Sequence, residues 1–414
     1  MILKSFFMRV NTSFSVFCTR ITRVASIGLL AIYFIGAVDA HEGHDHGDHD
    51  HAASQLTAKV DPADAAMSSK FQIGETTYRW EHRDDLGKQS DKMIAAAKGG
   101  LHNNADQDLK TNEIVTVVSG FGLVALDAEL KAWKRVENQD PKFAAGMNAH
   151  GADCFLFNNE SLWAFSSTNT GEVVISKRGE VLAVLTSPKG GEFDDERINQ
   201  YYADGGKFAP CDVVFAPEAQ SLIVVTGYAP GDYALTAKHV DGTWKWTGAA
   251  WGGKTNQGGP FATAHGVEIG RVDGAEVIEV ASRAHGRVYG FSADGEMVQL
   301  PGASEQKYIQ LPPRSNPCNL ALHGDQMYLP LLNPLADSNG VAPVLIVSGG
   351  TPVGRLVPAE YEGLQYMHHM HGFCAVERDG KLFGIALSWP NGGENQKGKR
   401  NDGQIAIFEA VEAQ

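Results

Sequence analysis

Beyond its first 40 residues the chain lacks any run of 18 apolar residues. Nothing there is long enough to cross a bilayer core of about 30 Å as a helix. Basic residues are outnumbered, 35 against 49 acidic, for a formal net charge of −14. Phosphate contacts need a basic surface, so nucleic acid is excluded as a partner. Charged residues are only 20% and hydrophobic residues are 43%, which excludes wholesale disorder. The enrichment in Ala, Glu, Lys and Leu that marks a coiled coil is missing too. Cysteine is scarce, five in all, with no CxxC pair, so there is no zinc ribbon and no thioredoxin-like motif. Glycine is the residue in excess, 46 of 414, which points to many turns.

Residues 1–40 read as a targeting segment. Lys4, Arg9, Arg20 and Arg23 form a basic lead, Ile27 to Val38 an apolar run of 12, and Val38-Asp39-Ala40 a cleavage site of small residues. Twelve residues are too few to span a membrane, which favours a secretory signal over an uncleaved anchor. The expected location is periplasmic or secreted, with no stable membrane anchor. Cys18 leaves with the signal; Cys154, Cys211, Cys318 and Cys374 remain, an even number that permits disulfides in an oxidising compartment.

The mature chain would begin HEGHDHGDHDH. His41, His44, His46, His49 and His51 alternate there with Glu42, Asp45, Asp48 and Asp50. Such a segment, 41–54, cannot pack a core. Imidazole binds zinc, copper and nickel, and neighbouring carboxylates assist. It reads as a disordered metal-collecting arm, or as a solvated leader that binds metal only adventitiously. Gly43 at the third mature position excludes the amino-terminal copper and nickel motif.

Residues 55–95 are a polar lead-in with one helix-like stretch, 91–98. From about residue 110 short apolar runs alternate with Gly, Asp, Asn and Pro, the pattern of many short antiparallel strands. The segments NAHGADCFL, APCDVVFAP, TAHGVEIG, NPCNLALHG and HMHGFCAVE recur. Their marked residues His150, Cys211, His265, Cys318 and His371 are separated by 61, 54, 53 and 53 residues. A period near 53 built of several strands predicts an all-β fold, a β-propeller. Counting back one period reaches His102, a weaker match because no strand-like run follows it directly. Six blades would fill residues 96–414, with the lead-in helping to close the ring; a seventh blade arises if the lead-in forms its own.

In a six-bladed ring alternate blades lie about 120° apart, so His150, His265 and His371 would converge on the channel. Three imidazoles and one open position make the arrangement of a catalytic zinc. Gly151, Gly266 and Gly372 after them allow close approach or an unusual φ. The competing reading makes each His-Gly a turn with a packed histidine, and the same dipeptide at His285 and His323 shows how common it is. Cys211 and Cys318 fill the intervening positions as further ligands, a channel thiol pair, or buried small hydrophobes.

The stretches APCDVVFAPEAQSLIVVTGYAPGDY, FATAHGVEI, EVIEVASRAHGRVYGFSADGE and MHGFCAVERDGKLFGIAL resemble NHL-type blades, in an order similar to the peptidyl-α-hydroxyglycine α-amidating lyases, over roughly residues 148–410. The resemblance implies a six-bladed propeller with zinc on His150, His265 and His371. It also implies an active-site tyrosine at Tyr228, with its phenol pKa lowered, and a substrate-binding arginine at Arg283. Such enzymes cleave a carbinolamide C–N bond in a small-molecule or peptide substrate and release glyoxylate. A second arginine of the family is missing before His150, and Gly372 stands where the family has a calcium-binding Asp, so calcium is not expected. The arm together with a propeller is also similar to periplasmic zinc metallochaperones, whose partner would be a metal-transport protein. A protein-binding propeller with a structural metal is the third reading. The physiological metal stays open among zinc, copper and nickel.

Overall fold

A computed structural model describes residues 68–335, 340–391 and 400–414. The targeting segment, the histidine arm and the first part of the lead-in lie outside these residues. Apolar runs such as Ile114–Val118, Gly122–Leu126, Asp212–Ala216 and Ser221–Val225 are buried along their whole length. Strands that alternate would have one wet face; these have none, because each sheet is covered on both faces by its neighbours.

The described strands form six antiparallel sheets, the blades of a six-bladed β-propeller. The innermost strands, in order, are Asp106–Gln107, Gly151–Phe157, Asp212–Ala216, Ala264–Val272, Ala321–His323 and Met370–Arg378. His150, Cys211, His265, Cys318 and His371 each stand at or just before the start of one of them, as the repeat predicts. The first blade begins with a strand of only two residues, which is why its period is hard to see.

No seventh blade forms from the lead-in among the described residues. Lys70–Ile73 and Thr76–His82 instead add to the last blade, outside Met370–Arg378, Lys381–Ser388 and Ile405–Glu412. The two ends of the propeller chain are thus zipped into one sheet, with Trp80 opposite Ala410. Phe71 and Trp80 are buried there and stack at 5.0 Å between ring centroids. The helix-like stretch becomes a helix, Asp91–Gly100, capped by the Ser90 hydroxyl on the Met93 amide. Its Met93 and Ala97 pack into the core shared by the first and last blades.

The glycines after the three histidines serve close approach, since none has a positive φ. A Cβ on Gly151 would lie 2.5 Å from Asp212 Cα, on Gly266 2.9 Å from Asn319 Cα, and on Gly372 2.6 Å from the Asn103 carbonyl oxygen. In each case the obstacle is the inner segment of the next blade, so glycine sets how tightly the blades converge.

If the zipped sheet holds the ring closed, Trp80→Ala should cost about 3–5 kcal/mol, read from the urea midpoint. An unchanged midpoint would show that the lead-in strands do not close the ring.

Candidate metal centre

Each of the three blade-start histidines turns Nδ1 to a backbone carbonyl of the following blade. The distances are 2.6 Å from His150 to Cys211 O, 2.5 Å from His265 to Cys318 O and 3.0 Å from His371 to Asn103 O. A carbonyl can only accept, so Nδ1 carries the proton and Nε2 presents a bare lone pair. This is the orientation that outer-shell carbonyls impose on metal-binding histidines.

His102, from the segment before the first blade, joins this group. His102, His150 and His371 place their ligating nitrogens within 4.8 Å of one another, a buried three-histidine cluster compatible with a metal site. Their ring centroids are 4.3 to 4.6 Å apart. His150 Nε2 and His371 Nε2 stand 3.2 Å apart. Burial pushes the His371 imidazole down to about 3, against the Asn103 carbonyl, and Arg283 lowers it further. The two Nε2 atoms therefore face each other across a gap that a cation could bridge.

His265 stands beside the cluster, 4.7 Å from His150 and 5.5 Å from His371 between centroids. Its Nε2 accepts from the Tyr228 hydroxyl at 2.8 Å. Burial, then Arg283, His150 and His371, hold its pKa well below the ordinary value. Tyr228 follows the strand Ser221–Val225 of the third blade, and Arg283 follows Ala275–Ser282 of the fourth, the equivalent places that their sequence offsets indicate. Arg283 Nη1 donates to Tyr228 Oη at 3.0 Å and its guanidinium lies 5.1 Å from the phenol ring centroid. No carboxylate of the described residues pairs with Arg283. Burial outweighs Arg283 and leaves the Tyr228 phenol above its ordinary pKa, opposite to the direction expected from sequence. Trp389 adds an aromatic wall 5.5 Å from His102.

Cys154, Cys211, Cys318 and Cys374 are free and buried, with no disulfide among the described residues. Burial pushes the Cys211 thiol up to about 12 and the Cys318 thiol to about 11. Each thiol donates to a backbone carbonyl, Cys211 Sγ to Ala209 O at 3.8 Å and Cys318 Sγ to Asn316 O at 4.0 Å, while the carbonyls of the two cysteines hold His150 and His265.

Sequence reasoning missed the chemistry further down the channel. Asp106, Asp153 and Glu268 lie on inner strands, Asp153 and Glu268 three residues past His150 and His265, or about 10 Å along a strand. Asp106 accepts from Cys154 N–H at 2.6 Å and Asp153 from Phe215 N–H at 2.8 Å, each tying one blade to the next. Asp212 bridges further, accepting from Val267 N–H at 2.9 Å and from the Asn319 amide at 3.3 Å. Their offset from the repeat position was the available signal.

No protein-family profile matches the chain, and no curated protein does. Among solved structures it is similar to virginiamycin B lyase from Staphylococcus aureus (10% identity, TM-score 0.43, 81% of this chain and 100% of that one). It is also similar to the Cps50 (Swd1) β-propeller domain of Myceliophteria thermophila (10%, 0.41, 75% and 83%). A protein of unknown function from Bacteroides caccae is a third (11%, 0.41, 71% and 93%). Likeness this distant carries no argument about chemistry, which rests on the geometry above.

Burial raises the Asp106 carboxyl from 3.8 to about 6, against the amides of Cys154 and Gln107; the Asp108 charge adds to the rise. The folded state therefore holds a proton that the unfolded state has released, and stability falls as pH rises from about 4 to 6. Asp106→Asn keeps an acceptor for Cys154 and removes this penalty. Its stability relative to wild type should be greater at pH 7 than at pH 4, by up to about 3 kcal/mol, in urea unfolding at the two pH values. A difference independent of pH would mean that this carboxyl titrates normally.

Proposed function

We propose that this chain is an exported, zinc-binding β-propeller whose hub performs lyase chemistry of the amidating type. The observation that carries the metal reading is the pair of carbonyl-oriented imidazoles, His150 and His371, facing each other with His102 alongside. All-imidazole donors suit zinc, copper or nickel. Arg283 supports the lyase reading. It is a cation beside the cluster that pairs with no carboxylate of the described residues, and it suits the carboxylate of an α-hydroxyglycine substrate. A bound zinc would act as a Lewis acid on the substrate oxygen. Tyr228 Oη, held between Arg283 and His265, is the group placed to take the substrate hydroxyl proton. The C–N bond then breaks, the hydroxyl carbon becomes a carbonyl, and the departing amide nitrogen takes a proton. Because burial keeps the phenol protonated, Tyr228 serves as a base only when a further cation in the site lowers its pKa.

The second reading is a periplasmic metal carrier that hands its ion to a metal-transport protein. The histidine arm of residues 41–51 favours it, because a loose collecting segment benefits delivery and is not needed for turnover.

Metal analysis after zinc loading should give one tightly held ion for a chain beginning at residue 55, and more for a chain beginning at His41. Glyoxylate release from an α-hydroxyglycine peptide should appear with zinc and fall at least about 100-fold in Tyr228→Phe, the scale of a lost general base. No glyoxylate from either chain, with zinc delivery to an acceptor lost on removal of residues 41–51, would establish the carrier instead.

A further inference from the structure

We propose that His102 is the third metal ligand of the hub, and that His265 is a positioning residue that holds the Tyr228 hydroxyl. The inference rests on the metal reading above and departs from the repeat, which assigns the third place to His265.

The distances separate the two roles. Metal–nitrogen bonds of about 2.0–2.1 Å put two ligand atoms no more than about 4.2 Å apart, and about 3.3 Å apart on a tetrahedron. His150 Nε2 and His371 Nε2, at 3.2 Å, form such an edge. His102 brings its ligating nitrogen into the same group. His265 is as near His150 as His102 is, 4.7 against 4.6 Å between centroids, but it lies further from His371, 5.5 against 4.3 Å. Both of its nitrogens are engaged, Nδ1 by the Cys318 carbonyl at 2.5 Å and Nε2 by Tyr228 at 2.8 Å. Because Nδ1 carries the proton, Nε2 can only accept and the phenol must donate. That fixes the direction of the Tyr228 O–H bond. The oxygen then presents its lone pairs to Arg283, at 3.0 Å, and to the space beside His150, whose Nε2 is 3.4 Å away. Ligation by His265 would remove the acceptor that sets this orientation.

The first blade supplies His102 from a segment that is itself pinned. Its carbonyl accepts from the Asn148 amide at 3.1 Å, and its N–H donates to Asn103 Oδ1 at 2.7 Å. The adjacent Asn103 carbonyl is the one that orients His371. One short stretch thus contributes a ligand and fixes another.

The test measures zinc affinity and stoichiometry in the full mature chain and in one lacking residues 41–51, which removes the competing arm. His102→Ala should weaken zinc binding by roughly a hundredfold or more, beyond the usual cost of losing an outer-shell partner. His265→Ala should keep one zinc with affinity within about threefold of wild type. Copper(II) loading gives a second readout: the nitrogen hyperfine pattern in electron paramagnetic resonance should survive His265→Ala and change in His102→Ala. His102→Gln and His265→Gln replace either alanine variant that does not melt cooperatively. Loss of zinc from the His265 variants with retention in the His102 variants overturns the inference while leaving the metal reading intact. A wild-type chain that binds neither metal overturns both.

Discussion

The bond from a histidine Nδ1 to the carbonyl of the next blade is the interaction on which the centre depends. It performs two tasks at once. It ties neighbouring inner segments together at the point where they come closest, and it decides which imidazole nitrogen is bare. Both tasks require the blades to approach within backbone contact, which the glycine after each histidine permits. A larger residue there would push the acceptor away and leave the ring without a fixed tautomer. Packing and chemistry therefore share one constraint, so the His-Gly pair is more informative as a unit than either residue alone.

The channel separates charge along its length. At one end stand four imidazoles, a phenol and the guanidinium of Arg283. Further in lie the carboxyls of Asp106, Asp153, Asp212 and Glu268, each raised in pKa chiefly by burial. Asp106, Asp153 and Asp212 accept from backbone amides of adjacent blades and so tie those blades together, whereas Glu268 accepts from the amide of its own neighbour Ile269. A histidine cluster compatible with a metal ion and the Arg283 cation thus stand side by side, His265 and Tyr228 being shared neighbours of both.

How much of this was legible in the sequence follows from what repeats. Five blades carry a marked residue at a nearly constant spacing, so the propeller and the convergence of His150, His265 and His371 could be read directly, while the choice between six and seven blades waited on the lead-in. The first blade could not be read with the same ease, because its inner strand is two residues long and its histidine sits four residues before that strand. The closing strands were equally obscure. Lys70–Ile73 and Thr76–His82 find their partners more than 300 residues away for the second pairing, at Phe408 to Glu412, and no local pattern encodes that choice. The fate of the thiols was open because a cysteine at a ligand position and one in a core share the same neighbours in sequence.

Convergence on an axis brings side chains together without deciding which of them share an ion. Four imidazoles, from His102, His150, His265 and His371, reach the hub, and a repeat argument treats three of them as equivalent. Their surroundings are not equivalent. The third blade supplies Tyr228 next to His265 and the fourth supplies Arg283 behind it, and neither His150 nor His371 has that pair so close. The phenol at 2.8 Å competes for the lone pair that a metal would need. The first blade breaks the symmetry from the other side by placing His102 against both His150 and His371. A sixfold fold thus carries a histidine cluster whose asymmetry comes from two loops and one leading segment, each a departure from the repeat.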